Sequence, residues 1–290
     1  MSDFVILTDS SADLSAEMAA KLEVEVLPMS FLMDDKNYYN YPDNREMDPH
    51  DLYERLRAGG SATTAAINVH SYTEALTELL AAGKDVLVLA FSSGLSSTYQ
   101  SSCLAVEDLR EQFPDRKLYT VDTLCASMGE GLLVTHAARL RAAGKSIEEV
   151  RDWVEQNRLR LCHQFTVDDL HFLKRGGRVS ATTAAVGSML QIKPVLHVDN
   201  EGKLVNIAKA RGRKASLKAL VDKMEQTAMD PAGQTVYISY GDCLADAQEV
   251  ANMVRTRFGT TDIQMNFIGP VIGAHSGPGP VALFYLGSER

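Results

Sequence analysis

The stretch 85–102, DVLVLAFSSGLSSTYQSS, constrains the fold of this chain more than any other. Residues 86–91 are an unbroken apolar run, too short for a helix and suited to a strand buried on both faces of a parallel sheet. Ser92, Ser93 and Gly94 then make a small-residue turn, and a helix is expected to open at Ser96 or Ser97. A strand that ends in hydroxyls and a glycine and runs into a helix builds an anion site. The free N–H groups of the first helical turn point outward, the helix dipole adds positive potential, and glycine permits close approach.

Neighbouring segments repeat the pattern. An apolar run at 4–7 passes through the polar loop 8–13 into a helix over 14–22, with Asp13 as its expected N-cap, and returns as a strand over 24–29. Residues 31–44 read as a hairpin-like excursion. A short helix over 49–57 follows, with Asp48 as cap and Pro49 at its first position. Residues 59–64, GGSATT, read as a second hydroxyl-rich loop before a helix over 71–82. Next come a strand at 118–121, a long helix over 126–143 closed by Gly144, and a capping box from Ser146 to Glu149 that opens a helix through 158.

After 158 the texture changes to shorter elements. A strand at 165–167 and a helix at 168–174 precede the basic, flexible run Arg175-Gly176-Gly177-Arg178. A small-residue helix is expected over 181–190, a strand–turn–strand over 193–210, and a helix over 215–229. A further βαβ unit spans 236–268, and the glycine–proline segment 269–280 reads as a long loop before a last strand at 281–286. The expectation is an α/β chain of two α/β domains. An N-terminal Rossmann-like parallel sheet would span 1–160 and a C-terminal α/β domain 161–290, with the excursion at about 31–60 free to pack on the second.

Composition bounds the function. At 290 residues the chain can bury a sizeable core, and 45% hydrophobic with 23% charged residues is ordinary for a soluble globular protein. A net charge of −9 argues against nucleic-acid binding, which needs a basic face. The start, MSDFVILTDSS, lacks a basic stretch before a long apolar one, and no run reaches eighteen apolar residues. A cytoplasmic location without stable membrane anchoring is expected, leaving room for transient membrane contact. The four cysteines, Cys103, Cys125, Cys162 and Cys243, are widely spaced and read as reduced thiols.

Several catalytic signatures fail. Gly144-Lys145-Ser146 ends like a P-loop, but Arg139 stands where its first glycine belongs. Gly277 and Gly279 lack the third glycine of a dinucleotide fingerprint, and the region of Ser96 lacks the last glycine of a nucleophile elbow. The seven histidines form no metal-spaced motif. Asp9 has Ser11, not a second acid, two residues on. What remains are hydroxyl clusters at one sheet edge: Ser10 and Ser11, Thr63 and Thr64, Ser92 and Ser93. Ser and Thr cap helices and shape turns everywhere, but three clusters on one edge favour binding an anionic head group. His275 is either a loop-holding hydrogen bonder or a partner near that anion. Arg175, Arg178, Arg211, Arg213 and Lys214 are either a solvated face or a dock for an acidic partner or its phosphates.

Together these motifs resemble the DegV family of bacterial fatty acid-binding proteins. The resemblance runs from TDSSADL (8–14) through SSGLSSTYQS (92–101), DDLHFLKRGGRVS (168–180), KPVLHVDNEGK (193–203) and KARGRK (209–214) to IGPVIGAHSGPGP (268–280). It implies two α/β domains with one long-chain fatty acid, such as palmitate, stearate or oleate, between them. It implies no other cofactor and no metal, and a non-catalytic subunit that presents the carboxylate to a separate ATP-dependent fatty acid kinase. A serine and a threonine hold the carboxylate in such proteins. They carry over to Ser93, with Ser92 adjacent, and to Thr64, with Thr63 just before it. The segment after Thr64 departs from the family pattern, with Ala65 and Ile67 in place of serine and proline. Arg178 and His275 are implied near the head group or the kinase-facing surface. The alternatives are an enzyme transferring or hydrolysing phosphate or acyl groups, and a carrier of another amphiphile.

Overall fold

The computed structural model describes residues 4–180 and 191–290. The helix expected over 181–190 lies outside the described residues. Four strands, β1 (Phe4–Asp9), β2 (Glu25–Leu27), β6 (Asp85–Ala90) and β7 (Leu118–Asp122), pair in parallel in the order β2-β1-β6-β7. β6 is buried along nearly its whole length because both faces are covered. Val86, Val88 and Ala90 face the helices α3 (Val69–Ala81) and α4 (Thr98–Gln112). Leu87 and Leu89 face α5 (Met128–Ala142) and α6 (Ile147–Asn157). Ser146 and Glu149 form the expected capping box of α6.

The opening helix differs at its cap. α1 (Ala16–Leu22) begins two residues later than expected and is capped by Ser15, whose side chain accepts from the Met18 N–H at 3.2 Å. Asp13, the expected cap, sits in a left-handed turn at φ 51° with its carboxyl buried. A short side chain tolerates that conformation, and the group is used in the interior instead.

A second sheet has six strands in the order β10-β9-β8-β13-β11-β12. These are β8 (Leu161–Thr166), β9 (Ile192–Val198), β10 (Leu204–Arg211), β11 (Val236–Tyr240), β12 (Ile263–Phe267) and β13 (Val281–Leu286). Only β11 and β12 pair in parallel. Val281, Leu283 and Tyr285 pack outward against α8 (Arg213–Thr227) and α9 (Leu244–Phe258), the helices that follow the short α7 (Leu170–Arg175) in the chain. Ala282 and Phe284 point inward to α5. From Met128 to Ala138 α5 is therefore buried on nearly every side, as a helix between two sheets must be. Gly129 allows the approach: a Cβ there would lie 2.3 Å from His163 Nε2 and 2.8 Å from the Phe284 ring.

The excursion forms a small antiparallel sheet, β4-β3-β5, from β3 (Ser30–Met33), β4 (Lys36–Tyr39) and β5 (Ala62–Ala65). Asp34 and Asp35 both have positive φ, which matches a two-residue hairpin turn to the strand twist. Its inner face packs on α2 (Pro49–Arg57), capped by Asp48 as expected, and on Phe172 and Ala274. Two expectations are corrected here. The GGSATT segment is a loop only at its start, because β-branched Thr63 and Thr64 pair with Leu32 and Phe31. The segment 269–280 is not all loop: α10 (Pro270–Ser276) begins with proline at its first position, where no N–H is needed, and ends at Gly277 with φ 68°.

Candidate functional site

A cavity of about 270 Å³ lies between the inner face of the six-stranded sheet and the carboxyl ends of the parallel strands. The sheet supplies a floor of two cross-strand rows. One runs through Leu204, Val198, His163 and Phe284, and the other through Phe165, Ala282 and Ser239. The opposite wall comes from Met29 after β2, Phe91 after β6, Ala126 and Ser127 before α5, and Val271 and Ile272 of α10. This is the strand edge where open α/β sheets bind ligands.

One group of polar side chains on this wall comes from distant parts of the chain. Thr64 Oγ1 lies 2.8 Å from His275 Nε2. Strand alternation chooses between the paired threonines: Thr64 is half-buried and turned to the cavity, while Thr63 is exposed on the other face of β5. Burial, reinforced by the charges of Arg178 and Arg175, pushes the His275 pKa down to about 4, so the ring is neutral near pH 7. His275 packs so closely on the Arg175–Arg178 turn that a Cβ on Gly176 would lie 2.2 Å from its Nδ1. Arg178 is half-buried in the same wall, and its guanidinium donates to the Gly176 carbonyl. An arginine keeps its charge in such a place, so the site presents one cation, a neutral imidazole and a hydroxyl.

The SSG turn is placed differently from expectation. Ser92 is fully buried and its Oγ donates to the Gly202 carbonyl at 2.8 Å, tying the turn to the β9–β10 hairpin. Ser93 is exposed and lies outside the cavity wall, with its N–H donating to Asp122 at 3.2 Å. The hydroxyls that do reach the wall are Ser96 and Ser97, at the start of α4. Ser96 Oγ accepts from the Thr98 N–H at 3.2 Å and lies 2.9 Å from Thr98 Oγ1. The sequence signal for these two was the expected helix opening, and they lie on the wall just before α4 begins at Thr98.

The first hydroxyl cluster serves the interior. Ser11 Oγ lies 2.5 Å from Asp9 and 3.0 Å from Glu130, and Ser10 Oγ accepts from the Met29 N–H at 2.9 Å. Asp9 also accepts from the Phe91 N–H at 2.9 Å, which joins the ends of β1 and β6. Burial raises the pKa of both Asp9 and Glu130. Sequence reasoning missed Ser127, Ser239 and His163, which lie on the cavity wall but are far apart in the chain.

Of the other basic residues, Arg213 has a structural task, donating to Asp246 at 2.8 Å and to the Gly279 carbonyl at 2.6 Å. Arg175, Arg211 and Lys214 are exposed. His50, Glu54 and Asp242 come close enough to suggest a cation site, but the Arg57 guanidinium already pairs with both carboxylates. Among the described residues no helix is long and apolar enough to cross a membrane.

Comparison with known proteins agrees with this architecture. A DegV domain-containing protein of Clostridium perfringens is 45% identical over 290 residues, covering 100% of this chain and 99% of the relative. A Thermotoga maritima protein, whose structure is described as revealing a fatty acid binding function, superposes with a TM-score of 0.84 at 28% identity, over 98% of this chain and 99% of that one. The Streptococcus pneumoniae Fatty Acid Kinase (Fak) B3 protein, solved loaded with linoleic acid, has the same fold, with a TM-score of 0.85 at 22% identity over 99% of both chains. The profile of the family described as "Uncharacterised protein, DegV family" matches residues 3–288, and the chain belongs to the DegV family.

Proposed function

We propose that this chain binds one long-chain fatty acid and presents its carboxylate to a separate fatty acid kinase, without chemistry of its own. The observation that carries the reading is the composition of one cavity. Thr64, His275 and Arg178 meet on its wall, and apolar side chains from both sheets supply most of the rest. That arrangement suits an amphiphile with a small anionic head. The fatty acid named for the Thermotoga maritima relative supports the same class of ligand.

The energetics point the same way. A sixteen-carbon tail buries about fourteen methylenes, a gross gain of roughly 11 kcal/mol at about 0.8 kcal/mol each. Immobilising the chain offsets much of this, so the tail supplies affinity and the polar groups orient the carboxylate. Ser96 and the start of α4 stand ready as further partners for the head group.

The Thr64–His275 pair could also be read as a nucleophile and its base. Its imidazole is a weak base, with a pKa pushed down to about 4, which favours binding over acyl or phosphoryl transfer. The kinase partner is supported by the family resemblance and by the exposed Arg175, Arg211 and Lys214.

Native mass spectrometry of the purified protein tests the carrier reading. One fatty acid per chain, removed by organic extraction, is expected. An empty protein that alone turns over acyl phosphate would overturn the proposal, and the mass of the extracted ligand would identify any other amphiphile.

A further inference from the structure

Two buried acids that the site leaves without a task lie beneath its wall. Ser11 Oγ stands 2.5 Å from an Asp9 oxygen and 3.0 Å from a Glu130 oxygen. Thr8 Oγ1 stands 2.9 Å from the Leu89 carbonyl and 3.1 Å from the other Glu130 oxygen. All four side chains are buried.

Counting protons gives a result that does not depend on where each one sits. Each hydroxyl has a single proton and two acceptor neighbours. With both acids ionised, the Ser11 hydroxyl serves one carboxylate and turns lone pairs toward the other. One proton on either acid repairs the bridge: Glu130 donates through Ser11 to Asp9, or Asp9 donates through Ser11 to Glu130. Burial pushes both carboxyls up, in the direction this count requires.

The groups around the pair supply no substitute. Asp13, in the turn after β1, adds a further acid. Tyr72 on α3 bears on both carboxyls, but its hydroxyl has no partner among the described residues. Burial raises the Cys125 thiol, and the Arg290 guanidinium lies 3.2 Å from its sulfur. His163, packed on Gly129, is kept neutral by burial, and its Nε2 accepts from the Ala126 N–H. Among the described residues no lysine or arginine hydrogen-bonds to either carboxyl.

The pair ties together three pieces of the cavity wall. Asp9 holds the Phe91 N–H at 2.9 Å, and neighbouring Ser10 holds the Met29 N–H. Glu130 lies in the first turn of α5, just after Ala126 and Ser127. Met29, Phe91, Ala126 and Ser127 all line the cavity.

We propose that Asp9 and Glu130 share a carboxyl proton through Ser11, and that this proton positions the cavity wall, so that fatty acid binding weakens when the pair loses it. Glu130 is then a positioning residue, and the two acids titrate as one unit. The inference rests on the fatty acid reading of the cavity and goes beyond it by naming a proton on which affinity depends.

The test uses the full chain, with palmitate as the probe. Infrared spectra at about pH 8.5, above the titration of Asp13 at about 7, are expected to show a protonated carboxyl that Glu130→Gln removes. Glu130→Ala is expected to weaken palmitate binding at neutral pH, and Glu130→Gln, whose amide donates to Ser11, to restore it. Between about pH 7 and 10 the wild type is expected to lose about fivefold or more in affinity while circular dichroism shows it folded, the lower end of ordinary couplings between sites. Glu130→Gln is expected to hold its affinity over the same range. If neither variant folds, the wild type decides alone, because loss of the infrared band and loss of affinity must fall at the same pH. The inference is overturned by the absence of the band, by a band that Glu130→Gln leaves undiminished, or by affinities that follow pH alike in both proteins. A chain that shows the band but binds no fatty acid at any pH removes the fatty acid reading instead.

Discussion

Thr64 Oγ1 and His275 Nε2 stand 2.8 Å apart although 211 residues separate them in the chain. The contact joins β5 of the small sheet to α10, a helix that follows the last βαβ unit. It puts a hydroxyl and a neutral imidazole together on the cavity wall; when Nε2–H donates to the threonine oxygen, the hydroxyl proton is left free.

Thr64→Val keeps the shape and the β propensity of the side chain but removes its hydroxyl. Fatty acid affinity is expected to fall by about ten- to hundredfold, roughly the value of one hydrogen bond to a charged group, with little loss of stability. Thr63→Val, on the exposed face of the same strand, is expected to change neither. Displacement of a fluorescent fatty acid measures both variants.

The two serines of the SSG turn and the two after it are distinguishable. Ser96→Ala is expected to weaken binding several-fold, because Ser96 lies on the wall, whereas Ser93→Ala is expected to bind like the wild type. Ser92→Ala should act on stability, by about 1 kcal/mol, through the lost bond to Gly202. Thermal melts of the three variants beside their dissociation constants check this division. A loss of affinity confined to Ser93→Ala would return the head group to the turn.

Protonation of His275 gives a signed pH dependence. Its folded pKa of about 4 lies below the ordinary 6.5. The unfolded chain therefore takes up the proton first as pH falls, and the stability present above pH 6.5 is lost progressively down to pH 4. The size is on the order of 3 kcal/mol. Asp13 has the opposite sign. Burial lifts its pKa from 3.8 to about 7, so its contribution weakens as pH rises between those values. Denaturant melts across pH 4–8 should show His275→Gln gaining on the wild type toward acid, and Asp13→Asn gaining on it toward neutrality.

Gly129→Ala tests how closely α5 approaches the second sheet. Alanine is the better helix former by about 1 kcal/mol. Here its methyl would lie 2.3 Å from His163 and 2.8 Å from Phe284, both fixed by their own packing. Overpacking of this kind costs about 1–3 kcal/mol, so net destabilisation is expected. An unchanged or raised melting temperature would mean that the sheet yields easily.

The elements legible in the sequence were those whose signals are local. The run at 86–91 announced a strand covered on both faces, Ser146 and Glu149 announced a helix start, and the Asp48-Pro49 pair announced another. Features decided by distant partners were not legible. Thr63 and Thr64 look like turn residues until β3 is beside them, and Pro270 looks like a loop residue until the helix after it is seen. The site divides in the same way. Thr64, Arg178 and His275 stood out by type and setting, and all three lie on one wall. Ser93 was singled out by its neighbours in the turn; it is exposed, and Ser96 lies on the cavity wall. Ser127 and Ser239 had no sequence signal, because their pairing depends on how α5 meets β11.

The position of α5 sets an order of events during synthesis. Its Gly129 and Thr135 lie against Phe284 and Tyr237, so one of its faces is covered by residues made much later. β13, the last strand, lies between β8 and β11 in the middle of its sheet, not at an edge. A ribosome that has released only the first 160 residues has exposed a helix with one apolar side still uncovered. That side cannot close until β13 has emerged. The nascent chain thus carries an uncovered apolar side from the making of α5 to that of β13, and the folded protein should melt in a single cooperative transition despite its separate sheets.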